Sequence, residues 1–229
     1  MKIAIIGSGM VGRAFALRLT ELGHDVVVGT RDVDATLSRT SPDSKGIPAW
    51  QFWAQEHANV ALVSFADAGR FAELIINATE GVISLEALSM VGKDNLAGKV
   101  LLDLALPLSY LPGEIPRLAF ANDDSLGEQI QRAFPDTHVV KSLNTMVYTL
   151  MLDPSLLPGS HNVFMSGDRE IAKSKVKELL IQFGWTDENI IDLGGIITSR
   201  ATEMYAALLF QISKVSGDYN FNIAVVRKQ

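Results

Sequence analysis

The chain opens on a glycine pattern that leaves few folds open. Ile3 to Ile6 form an apolar β-run, Gly7-Ser8-Gly9-Met10-Val11-Gly12 follow at once, Met10 to Leu22 read as a helix, and Asp25 to Val28 as a second β-run. In that setting each glycine has a physical reason. Gly7 suits a tight turn, Gly9 lets the backbone approach a pyrophosphate, and Gly12 lets the helix pack close to the strand. Free N–H groups and the positive end of the helix then face the phosphates. A plain strand-to-helix turn is the simpler alternative; the flanking strands and helix favour a dinucleotide bound by Gly7, Ser8, Gly9, Met10, Val11 and Gly12.

The end of the second strand speaks to which dinucleotide. A chain that binds NAD usually places a carboxylate roughly 20 residues past the glycines, on the ribose 2′-hydroxyl. This chain has Val28-Gly29-Thr30-Arg31 instead. A small residue, a hydroxyl and a guanidinium leave room for a 2′-phosphate and bind it, the last with a bidentate fork. NADP(H) is therefore expected, with Thr30 and Arg31 on the 2′-phosphate. The competing expectation is that Arg31 pairs in solvent with Asp32 or Asp34; Arg39 is the nearest further cation.

At 229 residues the chain can bury a sizeable core, and its 48% hydrophobic content fits a compact globule. Twenty basic residues against 26 acids give a net charge of −6, which argues against nucleic acid as a partner. No apolar run approaches a membrane span, no signal peptide is read before the first strand, and cysteine is absent. A cytoplasmic protein without membrane, disulfide or thiolate chemistry is expected. The four histidines show no metal-ligand spacing, so no metal is expected.

Apolar β-runs alternate with helical stretches, as in a parallel sheet with helices on both faces. Strands are expected near 2–6, 25–29, 60–64, 74–78, 99–103 and 138–142, and helices near 10–22, 66–72, 83–91 and 124–134. The stretch Ser41 to Asn59 breaks the rhythm, and its aromatic residues are expected to cover the sheet edge rather than stack on a ligand. Past residue 143 come a strand at Asn162 to Ser166, a helix at Arg169 to Phe183, a short strand at Ile190 to Leu193 and a helix at Thr198 to Ser213. The expected fold is α/β: a Rossmann-type doubly wound sheet over 1–143 and a small C-terminal α/β domain over 144–229 closing the cleft. Met204, Ala207, Leu208 and Ile212 make an apolar stripe that is either core or a dimer face.

In such sheets ligands lie beyond the carboxyl ends of the strands. Asn77 to Gly81, Asp103 to Pro107 and Lys141 to Met146 are therefore expected around the nicotinamide. Ala78, Thr79, Asn144 and Thr145 are taken as cofactor-binding, with helix capping as the alternative for the polar ones. Asp103 is expected buried and bonded to backbone. Lys141 reads as an exposed strand-end lysine ahead of a catalytic acid. No catalytic residue is identified, and a polar pocket without an evident proton donor favours hydride transfer between two held carriers over carbonyl reduction.

The chain resembles the coenzyme F420-dependent NADP oxidoreductases, whose nucleotide domain is also similar to the cytosolic domain of the six-transmembrane metalloreductases. The resemblance rests on Ile6 to Gly12, Gly29-Thr30-Arg31, Ser125 to Gln129, His138 to Thr145, Ser166-Gly167-Asp168, Leu193-Gly194 and Thr198-Ser199-Arg200. It implies a Rossmann domain binding NADP, a small C-terminal domain, and a small redox carrier, a deazaflavin (coenzyme F420) or flavin, stacked on the nicotinamide. It also implies a homodimer built from the C-terminal segment. Asn144 stands where archaeal members usually carry a histidine, and acids follow Arg31 where they carry a further base. Two other functions compete: a small-molecule reductase of the imine or pyrroline type, disfavoured by the strand at Asn162 to Ser166, and an NADP-sensing regulator without turnover.

Overall fold

The computed structural model describes residues 1–43 and 46–228. Its strands are β1 (Lys2–Ile6), β2 (Asp25–Thr30), β3 (Ala61–Ser64), β4 (Leu74–Asn77), β5 (Val100–Asp103), β6 (Leu108–Ser109), β7 (Arg117–Leu118), β8 (His138–Ser142), β9 (Val163–Gly167) and β10 (Ile190–Asp192). Its helices are α1 (Met10–Glu21), α2 (Val33–Ser38), α3 (Trp50–Glu56), α4 (Phe65–Phe71), α5 (Ser84–Val91), α6 (Lys93–Leu96), α7 (Leu126–Ala133), α8 (Tyr148–Leu152), α9 (Glu170–Phe183) and α10 (Ser199–Ser216). Eight strands form one sheet in the order β10-β9-β8-β5-β4-β1-β2-β3, while β6 and β7 make a separate hairpin. All neighbours in the large sheet run parallel except β8 and β9, so the fold is the expected α/β Rossmann type.

Alternation along the central strands explains the layers. Ile3 and Ile5 belong to one buried cluster with Phe15 and Leu19 of α1; Ala4 and Ile6 belong to the other with Phe65 and Ala68 of α4. Successive strand residues point to opposite faces, so a strand covered on both sides must be apolar throughout, as Ile3 to Ile6 are. The chain leaves β1 for β2 and β3 on one side, then crosses to β4 on the other. That reversal opens a crevice outside the carboxyl ends of β1 and β4.

The boundary expected at 143 falls just past β8, and β9 and β10 continue the same sheet. The stretch from Ser41 to Asn59 contains α3. Its Trp50 is buried in the core cluster of β1, β2 and α1, whereas Phe52 is half exposed. Ser44 and Lys45, inside that stretch, lie outside the described residues, as does Gln229.

Two expectations change. Lys141 is not an exposed strand-end lysine: it is 1% exposed, because β8 sits inside the sheet between β5 and β9 with α7 and α9 packed on it. The core alternative for the stripe on α10 also falls. Met204, Ala207 and Leu208 face outward and Ile212 is partly buried, while Thr202, Glu203, Ala206 and Leu209 form the buried side.

Candidate active site

The glycine turn is built by close approach. Gly7 has φ +121, and a Cβ there would stand 2.7 Å from the carbonyl oxygen of Ala78. At Gly12 a Cβ would overlap the carbonyl oxygen of Gly7, so α1 can start directly against the turn only without a side chain. Gly9, the N-cap of α1, has nothing within 4 Å of a built Cβ: the space before the helix N-terminus is open. Arg13 braces this loop from the core side, its Nε donating to the carbonyl of Ser8 at 2.9 Å and its guanidinium lying 5.3 Å from the Trp50 ring.

Two cavities meet at this turn. The outer one, about 420 Å³, is lined by Gly7, Ser8, Gly9, Thr30, Arg31, Thr36, Arg39, Ala78 and Thr79 among others. Asp32 does not pair with Arg31 here; its carboxylate caps α2, accepting from Ala35 N at 2.9 Å. Thr30 and Thr36 share a hydroxyl hydrogen bond of 2.8 Å. Arg31 reaches Glu86 of α5 across the opening at 3.7 Å, with both side chains more than half exposed. Arg39 donates to the carbonyl of Pro48 at 3.3 Å, and its Nε is buried without a partner. Two guanidinium groups, two hydroxyls and an open helix N-terminus fit a phosphorylated ribose and a pyrophosphate.

The inner cavity, about 330 Å³, shares Gly9, Ala78, Thr79 and Glu80 with the outer one and continues to Met10, Val11, Asp43, Ile47, Gly81, Leu104, Ala105, Leu106, Leu108, Tyr110 and Met151. Two of the three expected strand-end segments thus line it. Asn144 and Thr145 line neither of these cavities. Both are buried, with Asn144 Nδ2 and Thr145 Oγ1 unpartnered, and neither caps α8, whose N-cap is Val147. Thr79 is no helix cap either: its hydroxyl donates to Asn77 Oδ1 at 2.7 Å and lies 2.8 Å from Ser84 Oγ. Neither histidine nor lysine lines the inner cavity among the described residues. Tyr110, just past β6, does line it, and sequence reasoning missed it because nothing local distinguishes a loop tyrosine facing a cleft from one facing solvent.

A third hollow, about 550 Å³, is larger than either and lies beside α1, where Arg13, Leu17, Phe52, Trp53 and Tyr148 line it. It touches the inner cavity at Met10 and Ile47. Size alone does not mark the site; the glycine turn does.

Asp103 is buried as expected and accepts from Ala105 N at 3.1 Å, yet it also has a charged partner, Lys141 Nζ, at 2.8 Å. Burial works against the Lys141 ammonium, but Asp103 and Glu203 outweigh it and hold its pKa above the ordinary lysine value. The C-terminal motifs are architectural. Ser125 caps α7 through Glu128 N at 3.2 Å and meets Ser199 at 2.7 Å, and Arg200 grips Glu128 with bonds of 2.7 and 2.6 Å. That bidentate contact, with the Ser125 hydroxyl assisting against burial, holds the Glu128 carboxyl below the usual carboxylate range.

Residues 2–107 match the model of a family described as NADP oxidoreductase, coenzyme F420-dependent. An F420-dependent NADP reductase of Methanothermobacter marburgensis is 27% identical over 217 residues, which are 93% of this chain and 92% of that protein. The metalloreductase STEAP3 of Rattus norvegicus is 30% identical over 218 residues, 93% of this chain but 38% of that longer protein. A crystal structure of a candidate F420-dependent NADP reductase from Arthrobacter sp. FB24 is 47% identical with a TM-score of 0.93, covering 99% of this chain and 100% of that one. An imine reductase from Myxococcus stipitatus in complex with NADP+, 15% identical with a TM-score of 0.63 over 95% of this chain and 63% of that one, shares the fold. The chain belongs to the coenzyme F420-dependent NADP oxidoreductase family and is an NADP-dependent oxidoreductase.

Proposed function

We propose that this protein passes hydride between NADP(H) and a deazaflavin (coenzyme F420) or a flavin-like carrier. The observation that carries the reading is the two-part cleft: an outer end where two guanidinium groups and the hydroxyls of Thr30 and Thr36 stand beside the glycine turn, with Asp32 and Glu80 also in its lining, and a mostly apolar inner end free of histidine and lysine among the described residues. When bound, NADPH supplies the hydride. The chain's part is placement: Gly7, Ser8, Gly9, Met10, Val11 and Gly12 hold the pyrophosphate, and Thr30 and Arg31, joined by Thr36 and Arg39, hold the 2′-phosphate. Ala78 and Thr79 flank the passage between the two ends. Asn144 and Thr145 line neither cavity; with Asn144 Nδ2 and Thr145 Oγ1 buried and unpartnered, they are assigned to support behind the nicotinamide end rather than to contact with the ring. Transfer between two stacked rings needs geometry above all, and a mostly apolar inner wall suits it.

In this reading residues 144–229 form the smaller unit that closes the cleft over 1–143, with Met151 on the inner wall. The outward stripe of α10, continued by Met204 and Leu208, is the face of a homodimer. A cysteine-free chain fits a reducing cytoplasm. No helix among the described residues is long and apolar enough to cross a membrane.

Tyr110 favours a second reading. A phenol lining the inner cavity is a proton donor of the kind that imine or carbonyl reduction requires. Incubating the protein with NADPH and a panel of deazaflavin, flavin and imine acceptors, and following the nicotinamide absorbance, separates the readings. Turnover with the ring carriers alone supports the proposal, turnover with imines alone overturns it in favour of the small-molecule reductase, and tight NADPH binding without turnover overturns it in favour of a sensor.

A further inference from the structure

Beneath the inner cavity lies a cluster of buried polar side chains that the proposed transfer does not use: Asn77, Asp103, Lys141 and Glu203. An ammonium has three protons to give. Lys141 spends them on Asp103 Oδ2 at 2.8 Å, Glu203 Oε1 at 2.9 Å and the carbonyl of Ala105. Asp103 Oδ1 then accepts from Ala105 N at 3.1 Å and Asn77 Nδ2 at 2.8 Å. Asn77 Oδ1 accepts in turn from the Thr79 hydroxyl at 2.7 Å and the Thr79 N–H at 3.3 Å. Both strand-end segments that wall the inner cavity, the one at Thr79 and the one at Ala105, are thus tied to one ammonium. On the far side Glu203 of α10 accepts from the N–H groups of Leu126 at 2.8 Å and Gly127 at 3.0 Å, the first turn of α7.

A packed apolar cluster would hold these elements together with less desolvation, because buried ion pairs rarely repay the removal of their charges from water. What an apolar cluster lacks is direction: each bond here fixes the position of a particular backbone group. We propose that Lys141 is a positioning residue that sets the inner wall of the cleft, through Ala105 directly and through Asp103 and Asn77 to Thr79, and that Glu203 makes this wall depend on how α10 is seated. The proposal rests on the placement of the nicotinamide in the inner cavity. A ligand that fills the inner end then senses α10, and one that stops at the outer end does not.

Two ligands make the comparison: NADPH, and adenosine 2′,5′-bisphosphate, which lacks the nicotinamide half. The substitution E203Q keeps the side chain's size and removes its charge. It should weaken NADPH about tenfold and leave the bisphosphate within about twofold, the span of a modest coupling between sites. Equal losses for both, or no loss for either, overturn the proposal. Should the variant fail to fold, hydrogen exchange on the unaltered protein decides. Saturating NADPH should slow exchange of the Leu126 and Gly127 amides about fivefold, and the bisphosphate should not. Equal protection by the two ligands, or none by NADPH, overturns it. An unaltered protein that binds NADPH no tighter than the bisphosphate overturns the placement of the nicotinamide, and the proposal with it.

Discussion

Removing the guanidinium of Arg31 tests the assignment of the outer cavity, and the structure gives the size of the effect. A charge-assisted hydrogen bond to a phosphate is worth about 1.5–3 kcal/mol. Arg31 is not idle beforehand, since it reaches Glu86 at 3.7 Å with both side chains more than half exposed. Such an exposed pair is worth less than about 1 kcal/mol, and it must open before a phosphate enters. The net loss for Arg31→Ala is therefore about 1–2 kcal/mol, or about five- to thirty-fold in the Kd for NADPH. NADH has no 2′-phosphate and should lose less than about twofold. Glu86→Gln should act in the opposite direction, strengthening NADPH severalfold by freeing Arg31 and removing a carboxylate from the phosphate's surroundings. Calorimetric titration of both variants with both cofactors measures this. Equal losses for NADPH and NADH in Arg31→Ala, or weaker NADPH binding in Glu86→Gln, refute the reasoning.

Other substitutions separate binding from architecture. Gly9→Val should abolish binding of either cofactor while leaving the Tm nearly unchanged, since the added Cβ meets open space; Gly12→Ala should lower the Tm as well, because its Cβ would overlap the Gly7 carbonyl. Retained affinity in Gly9→Val contradicts the fingerprint. Tyr110→Phe should leave transfer from NADPH to a ring carrier within about twofold and abolish any imine reduction, as loss of a general acid predicts. The Glu128 carboxyl, held low by Arg200, contributes stability in full above its unfolded pKa of about 4.3, and the contribution fades as pH falls through its lower folded value. Thermal melts of Glu128→Gln and the unaltered protein should therefore differ at pH 7 and converge in acid; a gap that widens in acid contradicts the assignment.

Local patterns carried much of the fold. The β-runs at Ile3 to Ile6 and at Leu74 to Ile76 are apolar because both faces are covered, and such runs are visible without knowing their neighbours. Gly7 and Gly12 were legible for a similar reason, as each is required by the turn itself; Gly9, where a Cβ would meet open space, was legible only through its place in the spacing. Lys141 was not. Its burial depends on β8 lying between β5 and β9 and on Glu203, distant in sequence, arriving on α10. A strand's place in a sheet is decided by pairing, which no local window contains. The same holds for Thr36, brought to the outer cavity by α2, and for Tyr110, brought to the inner one by the hairpin of β6 and β7; Arg39, named from the sequence as the nearest further cation, does line the outer cavity. Thr198-Ser199-Arg200 and Ser125 to Glu128 pointed to the family, yet their roles emerge only where the two segments meet.

Direct transfer of hydride between two carriers is most directly tested with NADPH carrying deuterium at the reactive nicotinamide carbon, mixed in a single turnover with the protein and oxidised coenzyme F420. Placement of the two rings against each other across the inner cavity predicts that the label appears on the ring carbon of the reduced deazaflavin, with a primary isotope effect on the rate. Reduction of the deazaflavin without the label, or NADPH that stays unoxidised while bound, would contradict it.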